Sequence, residues 1–264
     1  MLDKQPNPRP KSVLIVAAHP DDCEFMGGAI LSHWQSLGAS IHFLLVTDGV
    51  SGSRDPHQTP RQLAEIRREE QRAAARVLGS ESVSFLGYPD GRVEASLELR
   101  WDIARVIRRV RPDVIISTDP VFRYNQEYIN HPDHRAVADA TLAAIMPTAN
   151  TLLAALDLHD EGLEPHDVSE VYLSGAANPT VWIPITEHDL QRQAEALRAH
   201  KSQLGDWDPL PRMKEGAAKV AEEARSRGIE CEYANCFYFI YMRRYDIEEP
   251  EEVTAEPAAD QGSA

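Results

Sequence analysis

Apolar residues fall in two alternating patterns along the first half of the chain. An unbroken run of strand length occurs at 12–18 (SVLIVAA), and further strands are expected at 40–47 (SIHFLLVT), 82–86 (SVSFL) and 113–117 (DVIIS). Continuous runs of this kind mark strands covered on both faces. Between them lie stretches with apolar residues at helical spacing. One runs from Gly27 to Gly38. A second follows Thr59-Pro60, where Pro suits the first helical position, and stops at Gly79. A third covers 97–110 and ends at Pro112; a fourth follows His131-Pro132-Asp133-His134 and ends at Pro147.

The second half is less regular. Strands are expected at 170–174, 180–185 and 231–243, with helices after Thr186 and over 213–227. Trp182, Trp207 and Tyr241 read as core. Four successive βα units predict an α/β fold: a Rossmann-like, mostly parallel sheet flanked by helices, with right-handed crossovers. No repeat or linker interrupts the pattern. One domain over 1–245 is expected, opened by a Pro-rich arm at 1–11 and followed by an acidic, disordered tail at 246–264.

Composition narrows the partners. Against 27 Lys and Arg stand 42 Asp and Glu, a formal charge of −15. The tail holds seven of the acids and no base, so the rest is still acidic. That balance argues against nucleic acid, whose partners carry basic stripes. No apolar run approaches the roughly 20 residues of a membrane span, and the first residues lack the apolar core of a secretion signal. A cytoplasmic protein is expected. Cys23, Cys231 and Cys236, an odd set without CxxC spacing, read as reduced, packed thiols.

The dense chemistry sits at two turns. AHPDDCE, 18–24, places His19, Asp21, Asp22 and Glu24 within six positions directly after the first strand, with no Lys or Arg near in sequence. HPDH, 131–134, follows the fourth strand more than a hundred residues later. In a sheet ordered 3-2-1-4 the first and fourth strands are neighbours, and a crevice opens at their carboxyl ends. His19, Asp22 and His134 would then offer two imidazoles and a carboxylate to one divalent ion, a set that suits catalytic zinc and also ferrous iron. The rival is a helix N-terminus at which Asp21 or Asp22 caps free N–H groups and Glu24 favours the dipole. Glu24 is also a candidate acceptor behind a ligand histidine. His200, in AHKSQ, reads as the cap of a helix end.

AHPDDCEFMGGAI followed by NHPDHRAVADA resembles the LmbE-like (PIG-L) family of zinc-dependent de-N-acetylases. VTDG (46–49), the stretch from Arg67 to Gly79, YPDG (88–91) and LRAHKSQ (197–203) resemble further family segments in the same order. The resemblance implies that His19, Asp22 and His134 are zinc ligands and Asp21 the general base. It makes His131 the residue that stabilises the oxyanion, oriented by Asp133, whose charge would raise the imidazole's pKa. Arg67 and Asp90 fall where some members hold substrate hydroxyls, and Cys23 falls outside the ligand set. The loops 50–60 and 119–130, with Arg123, Tyr124 and Asn125, are further candidates for substrate contact.

The implied activity is removal of an N-acetyl group from an N-acetylglucosaminyl-type sugar or its conjugate, with zinc as cofactor and Fe2+ acceptable to the same ligands. A small amino sugar is the partner expected; a homo-oligomer is compatible with the sequence. One alternative is an amidase acting on a larger thiol–sugar conjugate through the same metal. A second is a nucleotide-binding module, disfavoured because the first turn reads HPDDCEFMGG rather than GxGxxG. A third is a catalytically silent sugar-binding protein.

Overall fold

The computed structural model describes residues 5–242 except 54 and 56; the expected tail at 246–264 lies outside the described residues. Strands β1 (Ser12–Ala17), β2 (Ser40–Thr47), β3 (Ser82–Tyr88), β4 (Val114–Thr118), β5 (Glu170–Ser174), β6 (Val181–Ile185) and β7 (Tyr233–Tyr241) form one sheet in the order β3-β2-β1-β4-β5-β7-β6. The first five are parallel. Strand β7 runs antiparallel to both of its neighbours, β5 and β6, with Val171 opposite Ile240 and Ile183 opposite Asn235. From Pro-rich residues 5–11, the Asn7 and Lys11 amides donate to Glu170 and Asp113 at 2.9 Å each.

Alternation along each strand divides the core into two layers. Val13, Ile15, Phe43, Leu45 and Ile116 pack on one face with Ile30, Leu31 and Trp34 of helix α1 (Asp22–Ser36). Ala74 and Ala75 of α2 (Pro60–Val77) and Leu190 of α6 (Glu187–Leu197) join that layer. Leu14, Val16, Leu44, Ile115 and Val171 pack on the other face with Leu99, Ile103 and Ile107 of α3 (Leu97–Val110) and Val137 and Ala140 of α4 (Pro132–Ala143). The helices after β1 and β4 therefore lie on opposite faces, which opens the crevice between those two strand ends.

Local capping follows the sequence. Thr59 opens α2 with a reciprocal capping box to Gln62, and Thr186 opens α6 with one to Asp189. Helix α1 departs from expectation by starting at Asp22, five residues before Gly27. The glycines serve close packing rather than a helix start: a Cβ on Gly28 would lie 2.6 Å from Gln193 Cγ of α6. The helix expected after Thr186 is broken between Leu197 and Lys201, and α7 (Lys201–Leu204) follows as a separate turn before α8 (Leu210–Arg225). The short α5 (Leu156–Asp160) fills the connection to β5. Trp207, expected in the core, is 40% exposed. Among the described residues no helix is long and apolar enough to cross a membrane.

Candidate metal centre

Four strand ends converge on the crevice. After β1 the chain turns through His19, Pro20 and Asp21, and Asp21 adopts a left-handed conformation (φ 94°) that non-glycine residues rarely hold. The kink lets the Asp22 amide donate to His19 O (3.2 Å) while the His19 amide donates to Asp22 Oδ2 (2.8 Å). Asp21 O receives the amides of Glu24 and Phe25, which starts α1. No acid side chain caps the helix, so the capping alternative does not describe these residues.

Asp22 Oδ2, His19 Nδ1 and His134 Nε2 form a triangle with edges of 3.1, 3.2 and 3.2 Å. Tautomers follow from the outer contacts. His19 Nε2 faces Asp90 Oδ1 (3.1 Å) and Asp133 Oδ2 (3.3 Å), two acceptors, so it carries the proton and Nδ1 presents a lone pair. His134 Nδ1 faces Asn130 Oδ1 at 3.0 Å. Asn130 Nδ2 donates to Phe122 O (2.9 Å), which fixes that amide's orientation and leaves His134 Nε2 with its lone pair inward. With His19 neutral, three lone pairs meet here and repel; a divalent cation among them, or a proton on His19 Nδ1 shared with Asp22, relieves the repulsion. Ligands of a tetrahedral ion at about 2.0–2.2 Å lie roughly 3.3–3.6 Å apart, close to the edges of this triangle. The second cluster, His19, Asp90, His131 and Asp133, is centred on the protonated nitrogen of His19 and supports the first from behind.

The field agrees. Burial disfavours charge on His19, but Asp133, Asp22 and Asp90 outweigh it and lift the imidazole to about 12. Burial also opposes an Asp22 anion; contact with His134 and His19 prevails and holds the carboxyl far below its ordinary range. The pocket is built for positive charge.

Each acid of the first turn has its own partner. Arg67, 3% exposed, reaches from α2 to Gly49 O, Pro20 O and the Asp21 carboxylate, the last at 3.1 Å. Gly49 (φ 67°) admits it, since a Cβ there would lie 2.6 Å from Arg67 Nη1. Burial, then the charge of Asp22, push the Asp21 carboxyl up to about 7 against the pull of Arg67 and His200. Glu24 is fully buried with His200 (3.2 Å) and Gln71 (2.7 Å).

Several expectations change. Arg67 and Asp90 face the chain rather than open space: Asp90 Oδ2 accepts the Ser51 amide at 2.8 Å while Oδ1 faces His19. Asp133 orients His19 rather than His131. Its carboxylate accepts the amides of Gly91 (2.7 Å) and Val93 (3.2 Å) and lies 3.9 Å from His131 Nδ1. That nitrogen instead accepts the Asp133 amide (3.3 Å), so neutral His131 carries its proton on Nε2. Burial and the charge on His19 prevail over the charge of Asp133, which raises the His131 pKa as expected, and the net shift is down. His200 makes no cap; its ring is buried against Glu24, which supports His200 and not a histidine of the triangle. Cys23 is buried packing, as expected. Asn130 and Gln71 were missed, because an amide carries no signal until its neighbours are known.

A model of the PIG-L family, described as GlcNAc-PI de-N-acetylase, matches residues 14–145, from β1 through α4. The chain belongs to this family. Within PIG-L, it is 30% identical over 207 residues to the diacetylchitobiose deacetylase of Thermococcus kodakarensis, covering 76% of this chain and 75% of that one. The structure of the N,N'-diacetylchitobiose deacetylase from Pyrococcus horikoshii superposes with a TM-score of 0.78 at 27% identity, covering 88% of this chain and 84% of that one. A 4-oxalmesaconate hydratase of Pseudomonas putida is 33% identical over 123 residues, 45% of this chain and 47% of that one. The matched PIG-L segment holds both turns of the triangle, whereas His200 lies outside it.

Proposed function

We propose that this chain, acting as one domain over 1–245, is a zinc-dependent amide hydrolase that removes the N-acetyl group from an N-acetylglucosaminyl-type sugar or conjugate. His19, Asp22 and His134 hold the ion; ferrous iron accepts the same donors. The carrying observation is the triangle of His19 Nδ1, Asp22 Oδ2 and His134 Nε2, three ligand atoms facing one point, with Asp21 as the neighbouring carboxylate outside the set. A divalent ion at this point supplies Lewis acidity and a water of lowered pKa.

The chain's own groups do the rest. Asp21, tethered by Arg67, takes a proton from the attacking water and returns it to the departing nitrogen. Its elevated pKa suits both transfers near neutrality. His131 donates from Nε2 to the oxygen on which negative charge develops, and its neutral form suffices because Nδ1 is already an acceptor. Asp90 and Asp133 keep His19 turned so that Nδ1 faces inward.

The test is acetate release from diacetylchitobiose and N-acetylglucosaminyl conjugates by metal-depleted protein, before and after zinc is restored. Activity should vanish on depletion and return with zinc. No acetate from any substrate in the zinc-loaded protein refutes the proposal. Hydration of 4-oxalmesaconate, with no acetate released, would assign the site to hydratase chemistry instead; the sequence match to that hydratase covers 45% of this chain.

A further inference from the structure

The kinked backbone at Asp21 needs support, since a non-glycine residue at φ 94° persists only where its surroundings over-determine it. Arg67 holds the carboxylate and the preceding carbonyl. The amide is held separately: Asp21 N donates to Gln71 Oε1 at 3.0 Å. A glutamine amide has two ends, and only one orientation presents oxygen to Asp21. That orientation is set at the other end, where Gln71 Nε2 donates to Glu24 Oε1 (2.7 Å). Glu24 in turn is fixed by His200 Nε2 on its second oxygen (3.2 Å) and, through its backbone carbonyl, by Gln193 Nε2 (2.7 Å).

Glu24, Gln71 and His200 have no exposed surface, so water does not substitute for a missing member. His200 faces a carboxylate oxygen, which puts its proton on Nε2, while Nδ1 has no hydrogen-bond partner. The side chain therefore acts in one direction only, toward Glu24.

We infer that His200, from the break between α6 and α7, is a positioning residue for Asp21. It acts through Glu24 and Gln71 and holds the Asp21 amide, and with it the carboxylate, in working geometry. The inference rests on the reading of Asp21 as the base. It places a residue from beyond the segment matched by the family model in control of a group within it. None of the three metal-directed atoms is touched by His200, so its loss should leave the ion in place.

The experiment compares His200→Leu, His200→Gln, Gln71→Leu and the His200→Leu/Gln71→Leu pair, all zinc-loaded and checked for metal content and melting temperature. A glutamine amide nitrogen reaches the position of imidazole Nε2, so His200→Gln keeps the donor that His200→Leu removes. Two readouts are taken on each protein: kcat and KM for acetate release, and hydrogen exchange of the Asp21 amide. His200→Leu should lower kcat on the order of tenfold, the loss typical of an outer support. KM and bound zinc should stay near wild type, and Asp21 exchange should quicken by a similar factor. His200→Gln should restore both. Gln71→Leu should match His200→Leu, and the pair should be no worse than either single change, because they break one chain of contacts. A wild-type kcat and unaltered Asp21 exchange in His200→Leu overturn the inference. So does a defect that His200→Gln shares in full, or one traced to lost zinc or lost folding. If the wild type releases no acetate, the proposed function falls while amide exchange still decides the positioning role. If the wild type is active and exchange at Asp21 does not move, the positioning role falls alone.

Discussion

Asn130 decides which nitrogen of His134 faces inward, and removing its oxygen should weaken the metal without touching a ligand. The side chain is 2% exposed and offers Oδ1 to His134 Nδ1 at 3.0 Å. Asn130→Leu deletes that acceptor. A neutral hydrogen bond contributes about 0.5–1.5 kcal/mol, and a stranded buried donor costs about 1–3 kcal/mol. His134 is 18% exposed, so water recovers part of the second figure. A net loss of roughly 1.5–2.5 kcal/mol follows, or about 10-fold to 60-fold in affinity at about 1.4 kcal/mol per decade. Outer partners of ligand histidines typically matter to this degree. The measurement is competition between metal-depleted protein and a chromogenic chelator for zinc. Asn130→Asp is the internal control. It keeps an acceptor for Nδ1 but loses the donor to Phe122 O, so the gap between Leu and Asp isolates the His134 contact from any effect on the loop. Equal zinc affinity in wild type and Asn130→Leu would refute the tautomer argument and, with it, the inward lone pair of His134.

Arg108 of α3 is 2% exposed and donates to no carboxylate among the described residues; it donates to the carbonyls of Thr148, Ala149, Thr151, Ala155 and Leu163 at 2.8–3.3 Å. Arg108→Met should cost about 3 kcal/mol or more of stability by urea unfolding, since buried acceptors lose charged donors, while kcat per folded molecule holds. A loss under about 1 kcal/mol would show that water replaces the guanidinium. Metal-free protein should also carry a pH signature at Asp21. Its carboxyl rises from 3.8 to about 7 through burial and the charge of Asp22. Between those values the folded chain keeps a proton that the unfolded chain has lost, so stability falls as pH climbs from about 4 to about 7 and is level above. The slope contributes on the order of 1–4 kcal/mol across that window. Asp21→Asn should remove it, and a constant difference between wild type and Asp21→Asn at every pH would contradict the assignment.

Much of this was legible in the chain alone, for reasons that are local or topological. A continuous apolar run marked β1 because a strand covered on both faces has no polar side, and shorter apolar-rich segments between helical patterns marked β2 to β4. Pro60 after Thr59 and the Thr186–Asp189 pair marked helix starts because a terminus needs its free amides satisfied nearby. The neighbourhood of β1 and β4 follows from the handedness of βα units, and it was enough to bring HPDD and HPDH to one crevice. Tertiary structure alone decided the partners of Asp21 and Glu24. Arg67 reaches Asp21 from 46 positions away and His200 reaches Glu24 from 176, whereas the meeting of Asp22 with His134 was expected from topology. Such pairings leave no periodic trace, because a buried contact depends on how helices lie across the sheet and not on spacing along the chain. The same holds for direction. That Asp133 turns to His19, that Arg67 points into the protein, and that Asp21 carries a left-handed kink are outcomes of packing, in which each polar group takes the partner that burial leaves within reach.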